Sequence, residues 1–309
     1  MMGMSRPLRF IPEGGALVEV TTRTIQGRLL LRPSQKLNDV FLGVLGRAQS
    51  RHPLEVVAYC CLSSHYHLLL RVDNAKQLSD FMTYFNGNLA KEVARLTGWK
   101  DRVWSRRYQA IVISDEEEAQ VERLLYILGN CVKEGLVGSP LEWPGVHCAR
   151  ALITGERVEG TWFNRSLESN ASLRGETYEE RKYASIEVVH LSPLPCWKHL
   201  SEEVYRERVA ELIRQIEQDA AVQRQEAGIP LLGADGVKAQ NPETRPRKLK
   251  KSLAPLFHAF RKAARKALYE AYAWFVAAYR EAAAKLRSGD RTVAFPRGCF
   301  PPRLPFVAA

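Results

Sequence analysis

Residues 54–72, L-E-V-V-A-Y-C-C-L-S-S-H-Y-H-L-L-L-R-V, constrain the fold more than any other stretch. Two strongly apolar runs, 54–62 and 65–72, flank the pair Ser63-Ser64. So short a separation leaves room only for a hairpin or closely paired strands. A run as apolar as 54–62 belongs inside a sheet and not at its edge. The alternating, β-branched residues 16–22 predict another strand, and residues 107–113 a fourth.

Helical periodicity fills the gaps. Leu37, Val40, Phe41, Val44 and Leu45 predict a helix from Pro33-Ser34 to about Arg51. Leu78, Phe81, Met82, Phe85, Leu89 and Val93 predict another over 75–96. Ser114 or Asp115 is expected to cap a third, whose acidic start Glu116–Glu118 suits the positive helix end and which stops at Gly135. The order β-α-β-β-α-β-α predicts an α+β fold, a ferredoxin-like sandwich of an antiparallel sheet with helices on one face.

Beyond this core the signal thins. Residues 138–200 show little periodicity and read as irregular. A charged helix is expected over 201–227, a linker over 228–250 and a long helix over 252–287 ending at Gly289. The Pro-rich tail cannot continue a helix. The chain thus divides into a core over 1–165 and a basic, mainly helical extension over 166–309.

Lys and Arg total 45 against 34 Asp and Glu, a net charge of +11 that suits a polyanionic partner. The densest patch is 245–266, with nine basic residues and no acidic one. There Lys248, Lys250, Lys251, Arg261 and Lys262 are expected to grip a nucleic-acid backbone. The aromatic residues interspersed with and following it are read as packing. The six cysteines show no metal-binding spacing and are expected to be reduced. No apolar run of membrane-spanning length and no signal-peptide pattern is present, so the expected location is cytoplasmic, in association with the nucleoid, without a membrane partner.

The chemistry-bearing residues fall in two places. His65 and His67 are two apart on a predicted strand, so both imidazoles face one side. Such a pair can hold a divalent cation with an amide, carboxylate, phosphate or water completing the shell; a bare H-x-H is as readily structural. Tyr126 and Asn130 lie four apart on a predicted helix and share a face. A tyrosine hydroxyl can attack phosphorus, and an amide oxygen one turn on can join a metal's ligands. Arg106, Arg107 and Tyr108, after Trp104, and Lys133 are candidate nucleic-acid contacts.

Three segments, A-Y-C-C-L-S-S-H-Y-H-L-L-L at 58–70, V-W-S-R-R-Y at 103–108 and Y-I-L-G-N-C-V-K-E-G-L-V at 126–137, resemble the H-U-H single-tyrosine transposases. More narrowly, they resemble the insertion-sequence-200-like family and its REP-associated tyrosine transposase branch. The resemblance covers residues 8–165 and implies cleavage and rejoining of single-stranded hairpin DNA, REP-like or from an element end, through a 5′-phosphotyrosine. It implies Tyr126 as nucleophile, His65, His67 and Asn130 as holders of Mg²⁺ or Mn²⁺, and a monomer or homodimer. Tyr66 departs from the plain hydrophobe usual between the histidines, and Asn130-Cys131 from the branch's frequent Asn-Pro. The other readings are a domesticated, non-catalytic DNA-binding regulator with the same fold and a metal hydrolase with a structural Tyr126.

Overall fold

A computed structural model describes residues 9–177, 179–228, 230–246 and 255–302. Strand β1 (Ala16–Arg23) leads to helix α1 (Gln35–Arg51), whose first turn is closed by the Ser34 hydroxyl accepting from the Leu37 amide. Strands β2 (Glu55–Leu62) and β3 (His65–Val72) form the expected hairpin. Helix α2 (Ala75–Thr97) follows, capped by Asn74 and ended by left-handed Gly98, and then strand β4 (Gln109–Ile113). The sheet order β2-β3-β1-β4 is that of a ferredoxin-like sandwich, and all three of these pairings are antiparallel. Strand β2, expected inside the sheet, is instead its edge strand, and isolated bridges to Leu191 and His147 cover its outer side and keep its apolar run buried.

Helices cover both faces of this sheet. Tyr66 points into a cluster with Phe41 of α1 and Phe85 of α2. His67, on the other side of the same strand, packs against Tyr126 of helix α3 (Glu117–Leu128). The expectation of helices on one face therefore holds for α1 and α2, while α3 takes the opposite face.

Glu116, not Ser114 or Asp115, occupies the cap position of α3, and its carboxylate is engaged elsewhere. It accepts from Ser114 Oγ and from the backbone amides of Phe260 and Arg261. The expected single helix to Gly135 is interrupted at Gly129, after which α4 (Asn130–Lys133) begins. A Cβ at Gly129 would lie 3.4 Å from the Ile216 side chain, so the break sits where another helix presses close.

Residues 138–200 hold more structure than their pattern suggests. Helix α5 (Ala149–Thr154) precedes strand β5 (Val158–Phe163), which pairs antiparallel with β6 (Ala184–Val189) across helices α6 (Arg165–Leu173) and α7 (Glu180–Tyr183). This ribbon packs on α1 through Gly43 and Gly46, where a Cβ would collide with the backbone of Thr161 and Val188.

Helix α8 (Glu202–Ala227) packs against α3, α4 and α5. The expected linker contains helix α9 (Gly233–Ala239), whose Val237 is fully buried. The segment is tied to the core at Gly135 and Leu136, which accept from Leu232 and Gly233, and at Ser63, which donates to Gln240. The last helix, α10 (Lys262–Arg287), begins later than expected because residues 257–258 form strand β7 (Phe257–His258), parallel to β4 at the sheet edge. Phe257 is buried against Phe10, Tyr269 and Tyr272, which explains the extended start. Packing thus accounts for Phe257, Tyr272 and Phe275, whereas Phe260 and Trp274 are exposed. No described helix is long and apolar enough to cross a membrane.

Candidate nuclease site

His65 and His67 lie on one face of β3, with ring centroids 5.1 Å apart. Both are buried. The His67 Nδ1 is 2.8 Å from Glu19 Oε1 and 3.0 Å from Thr21 Oγ1. A carboxylate only accepts, so Nδ1 carries the proton and Nε2 carries the lone pair. That Nε2 is buried and without a hydrogen-bond partner among the described residues. Burial pushes His67 down to about 3, with the Arg23 charge adding to the effect. Burial also holds His65 well below its ordinary value, with His67 and Arg23 adding to the effect. Both rings are therefore neutral and able to donate lone pairs at neutral pH.

Glu19 was not evident as a site residue from sequence. It is 1% exposed, a single acid inside an otherwise apolar strand run, and that isolation was the available signal. Pairing of Thr21 with His67 puts Glu19 on the histidine face, two residues along β1. Such a carboxylate–imidazole contact fixes the tautomer and ring orientation of a ligating histidine.

The Tyr126 ring centroid is 5.6 Å from that of His67, edge to face. Two cations approach the same ring, Arg123 at 4.5 Å and Lys133 at 5.6 Å from its centroid. Asn130 is buried at the start of α4, and its amide nitrogen has no partner among the described residues. His65, His67, Tyr126 and Lys133 are thus brought together, with Asn130 one turn beyond the tyrosine. The donors fit a divalent cation: two neutral imidazoles, one with an orphaned Nε2, and an amide. Among the described residues no three His, Cys, Asp or Glu side chains form a metal cluster, so an amide, water or phosphate would have to complete the shell.

A third histidine, partly buried, marks the contrast. His147 sits beside Cys60, which pairs with His67, yet both its ring nitrogens are engaged, Nε2 with the Leu128 carbonyl and Nδ1 with the Ala149 amide. It has no lone pair to offer.

The remaining predicted contacts lie elsewhere. Arg106 and Arg107 are exposed beside a cleft that Tyr108 also lines. Arg261 is exposed but lies 3.7 Å from Glu116 and 4.0 Å from Glu118, so its charge is partly answered. Lys262 is exposed at the start of α10, and Lys248, Lys250 and Lys251 fall outside the described residues. All six cysteines are free thiols.

Residues 32–128 match the family described as IS200-like transposases. A protein of Haemophilus influenzae assigned as a REP-associated tyrosine transposase is 32% identical over 103 residues, covering 30% of this chain. The chain spans 58% of that relative's length. Among solved structures, a REP-associated tyrosine transposase bound to a REP hairpin aligns over 49% of this chain and 87% of its own, at 20% identity and a TM-score of 0.38. A protein of Deinococcus radiodurans R1 assigned as a transposase aligns over 40% and 95%, at 18% identity and a TM-score of 0.29.

Proposed function

We propose, for a chain whose residues 32–128 match the IS200-like transposase family, that it cleaves and rejoins single-stranded hairpin DNA through a covalent link to Tyr126. The observation that carries this reading is the convergence of His65, His67 and Tyr126 on one sheet face, with the Tyr126 and His67 rings in contact.

The Tyr126 hydroxyl oxygen attacks the scissile phosphorus and loses its proton to solvent. A P–Oη bond forms, and the bond from phosphorus to the 3′ oxygen breaks. The departing oxygen takes a proton and becomes a free 3′ hydroxyl, while the 5′ phosphate stays on the tyrosine. Attack by a 3′ hydroxyl on that phosphotyrosine reverses the step and reseals DNA without ATP. Arg123 and Lys133 stand beside the ring where they stabilise negative charge developing around the reacting oxygen. Glu19 holds the Nδ1 proton of His67 and keeps Nε2 directed away from it. His65, His67 and Asn130 would hold Mg²⁺ or Mn²⁺, which when bound polarises the scissile phosphate.

The test is end-labelled hairpin DNA incubated with protein and Mg²⁺ or Mn²⁺. A denaturation-resistant protein adduct on the 5′-phosphate fragment, a free 3′ hydroxyl on the other, and loss of both in Tyr126→Phe support the reading. Binding without any adduct would identify a non-catalytic regulator, and cleavage without an adduct a metal hydrolase.

A further inference from the structure

The sheet carries a cavity on the face that the histidines do not use. A cleft of about 810 Å³ opens between α2, the start of β4, β7 and α10. Its floor includes Ala110 and Val112, which pair with Val20 and Val18. Those positions share a side with Thr22, the partner of Tyr66, so the cleft lies behind the catalytic face.

The lining is cationic and aromatic. Arg9, Arg106 and Arg107 contribute to it with Trp104, Tyr108 and Tyr272, and among the described residues no acidic side chain does. The Arg9 guanidinium lies 3.5 Å from the Tyr108 ring centroid and donates from Nη2 to the Tyr108 carbonyl at 3.0 Å. Its Nε has no partner among the described residues. Burial pulls Arg9 down to about 10, with the neighbouring Arg107 adding to the effect. A guanidinium withdrawn from water, without a carboxylate to answer it among the described residues, is relieved by a bound anion, and its planar fork suits phosphate. Aromatic rings beside such a site accept a base face.

A route to the nucleophile exists. Gln109 is both a wall of the cleft and the β4 partner of Thr21, and Thr21 lies opposite His67. Two strand spacings separate Gln109 from His67, about 10 Å. Strand β7 pairs only with Val112 and Ile113, so the outer edge of Gln109–Ile111 is left uncovered by it.

We propose that this cleft holds an unpaired nucleotide of single-stranded DNA, with a backbone phosphate on Arg9 and Arg107 and its base against the Trp104, Tyr108 and Tyr272 rings. The DNA then passes around the open start of β4 to reach Tyr126 on the other face. This rests on the reading that DNA is the substrate, and adds a second site to it.

The test uses the full chain carrying Tyr126→Phe, so that binding is read without cleavage, and iodouracil-substituted oligothymidylate as the probe. Photocrosslinks are expected on the peptides carrying Trp104 and Tyr108 or Tyr272. Crosslinks confined to α3 and β3 would overturn the proposal. Arg9→Gln with Arg107→Gln should weaken oligothymidylate binding about tenfold, and flatten log affinity against log salt by about 0.7 for each phosphate that is no longer neutralised. Unchanged affinity and slope would also overturn it. Should that pair fail to fold, Arg106→Gln with Arg107→Gln, both exposed, gives the same reading, and the crosslinks need no substitution in the cleft. Adduct formation by the unaltered chain is measured separately. An oligonucleotide held in the cleft of a chain that never forms an adduct defeats the cleavage reading and leaves this site standing; an adduct without cleft crosslinks does the reverse.

Discussion

Adjacent residues of β3 face two different environments. On one side Tyr66 is fully buried, edge to face with Phe41, Phe85 and Trp104, and its hydroxyl donates to Asn86 at 2.6 Å. Every polar atom of that side chain is answered, and its surroundings are packed. On the other side His65 and His67 stand with Glu19 and Tyr126, and among the described residues His67 Nε2 has no partner there. A strand's period of two divides structural work from chemical work within three residues. The Tyr66 side chain is satisfied and contributes stability; His67 keeps a lone pair unspent, which is the condition for binding something else.

The sharpest way to break this contrast is to alter neighbours. Tyr66→Ala should destabilise the chain by about 3–5 kcal/mol, because it empties a close-packed aromatic site. His65→Ala should change stability by no more than about 1 kcal/mol while removing metal-dependent cleavage. Denaturant unfolding and the adduct assay on both variants decide it; similar unfolding midpoints for the two would remove the distinction.

Stability against pH tests the protonation state of His147. Burial lowers His147 to about 4, below its unfolded value of about 6.5. Between those values the unfolded chain binds a proton that the folded chain does not. Stability is therefore full above about 6.5 and falls as pH drops toward 4, by up to about 3 kcal/mol from this residue. His147→Gln should flatten that part of the profile in urea unfolding at stepped pH. An unaltered profile would show that His147 is not held neutral.

The smallest effect is expected at Glu19. Glu19→Gln should weaken Mn²⁺ binding about 10–100-fold by loosening the His67 ring, as loss of such a carboxylate does at other histidine metal sites. Calorimetric titration of the metal alone reads this without DNA. Equal affinity in the two chains would mean that the Glu19–His67 contact only stabilises the fold.

The sequence disclosed the parts of this molecule that follow a repeat. Alternation in β3 put both histidines on one face, and the 3.6-residue period of α1 and α2 located their buried stripes. It concealed what depends on distant partners. The β5–β6 ribbon is made of two short strands some twenty residues apart, and its packing partner is a helix that offers glycines at 43 and 46. Strand β7 is two residues long, too short for any period, and exists because β4 has an edge to share. Tyr126 and Asn130 were legible as neighbours one turn apart, but the break at Gly129 was not, since Ile216 approaches from a helix some ninety residues later. Glu19 became a candidate only through its strand register. The cleft behind the sheet draws Arg9, Arg107 and Tyr272 from segments that no local pattern connects.

The central claim is that the histidine face of β3 delivers its chemistry through one hydroxyl. Proteolysis of the protein–DNA adduct, followed by mass spectrometry of the nucleotide-bearing peptide, tests it most directly. The account predicts a phosphodiester on Tyr126, formed only with a divalent metal and absent from His65→Ala and His67→Ala. An adduct on another tyrosine, or one that persists without metal or without both histidines, would contradict it.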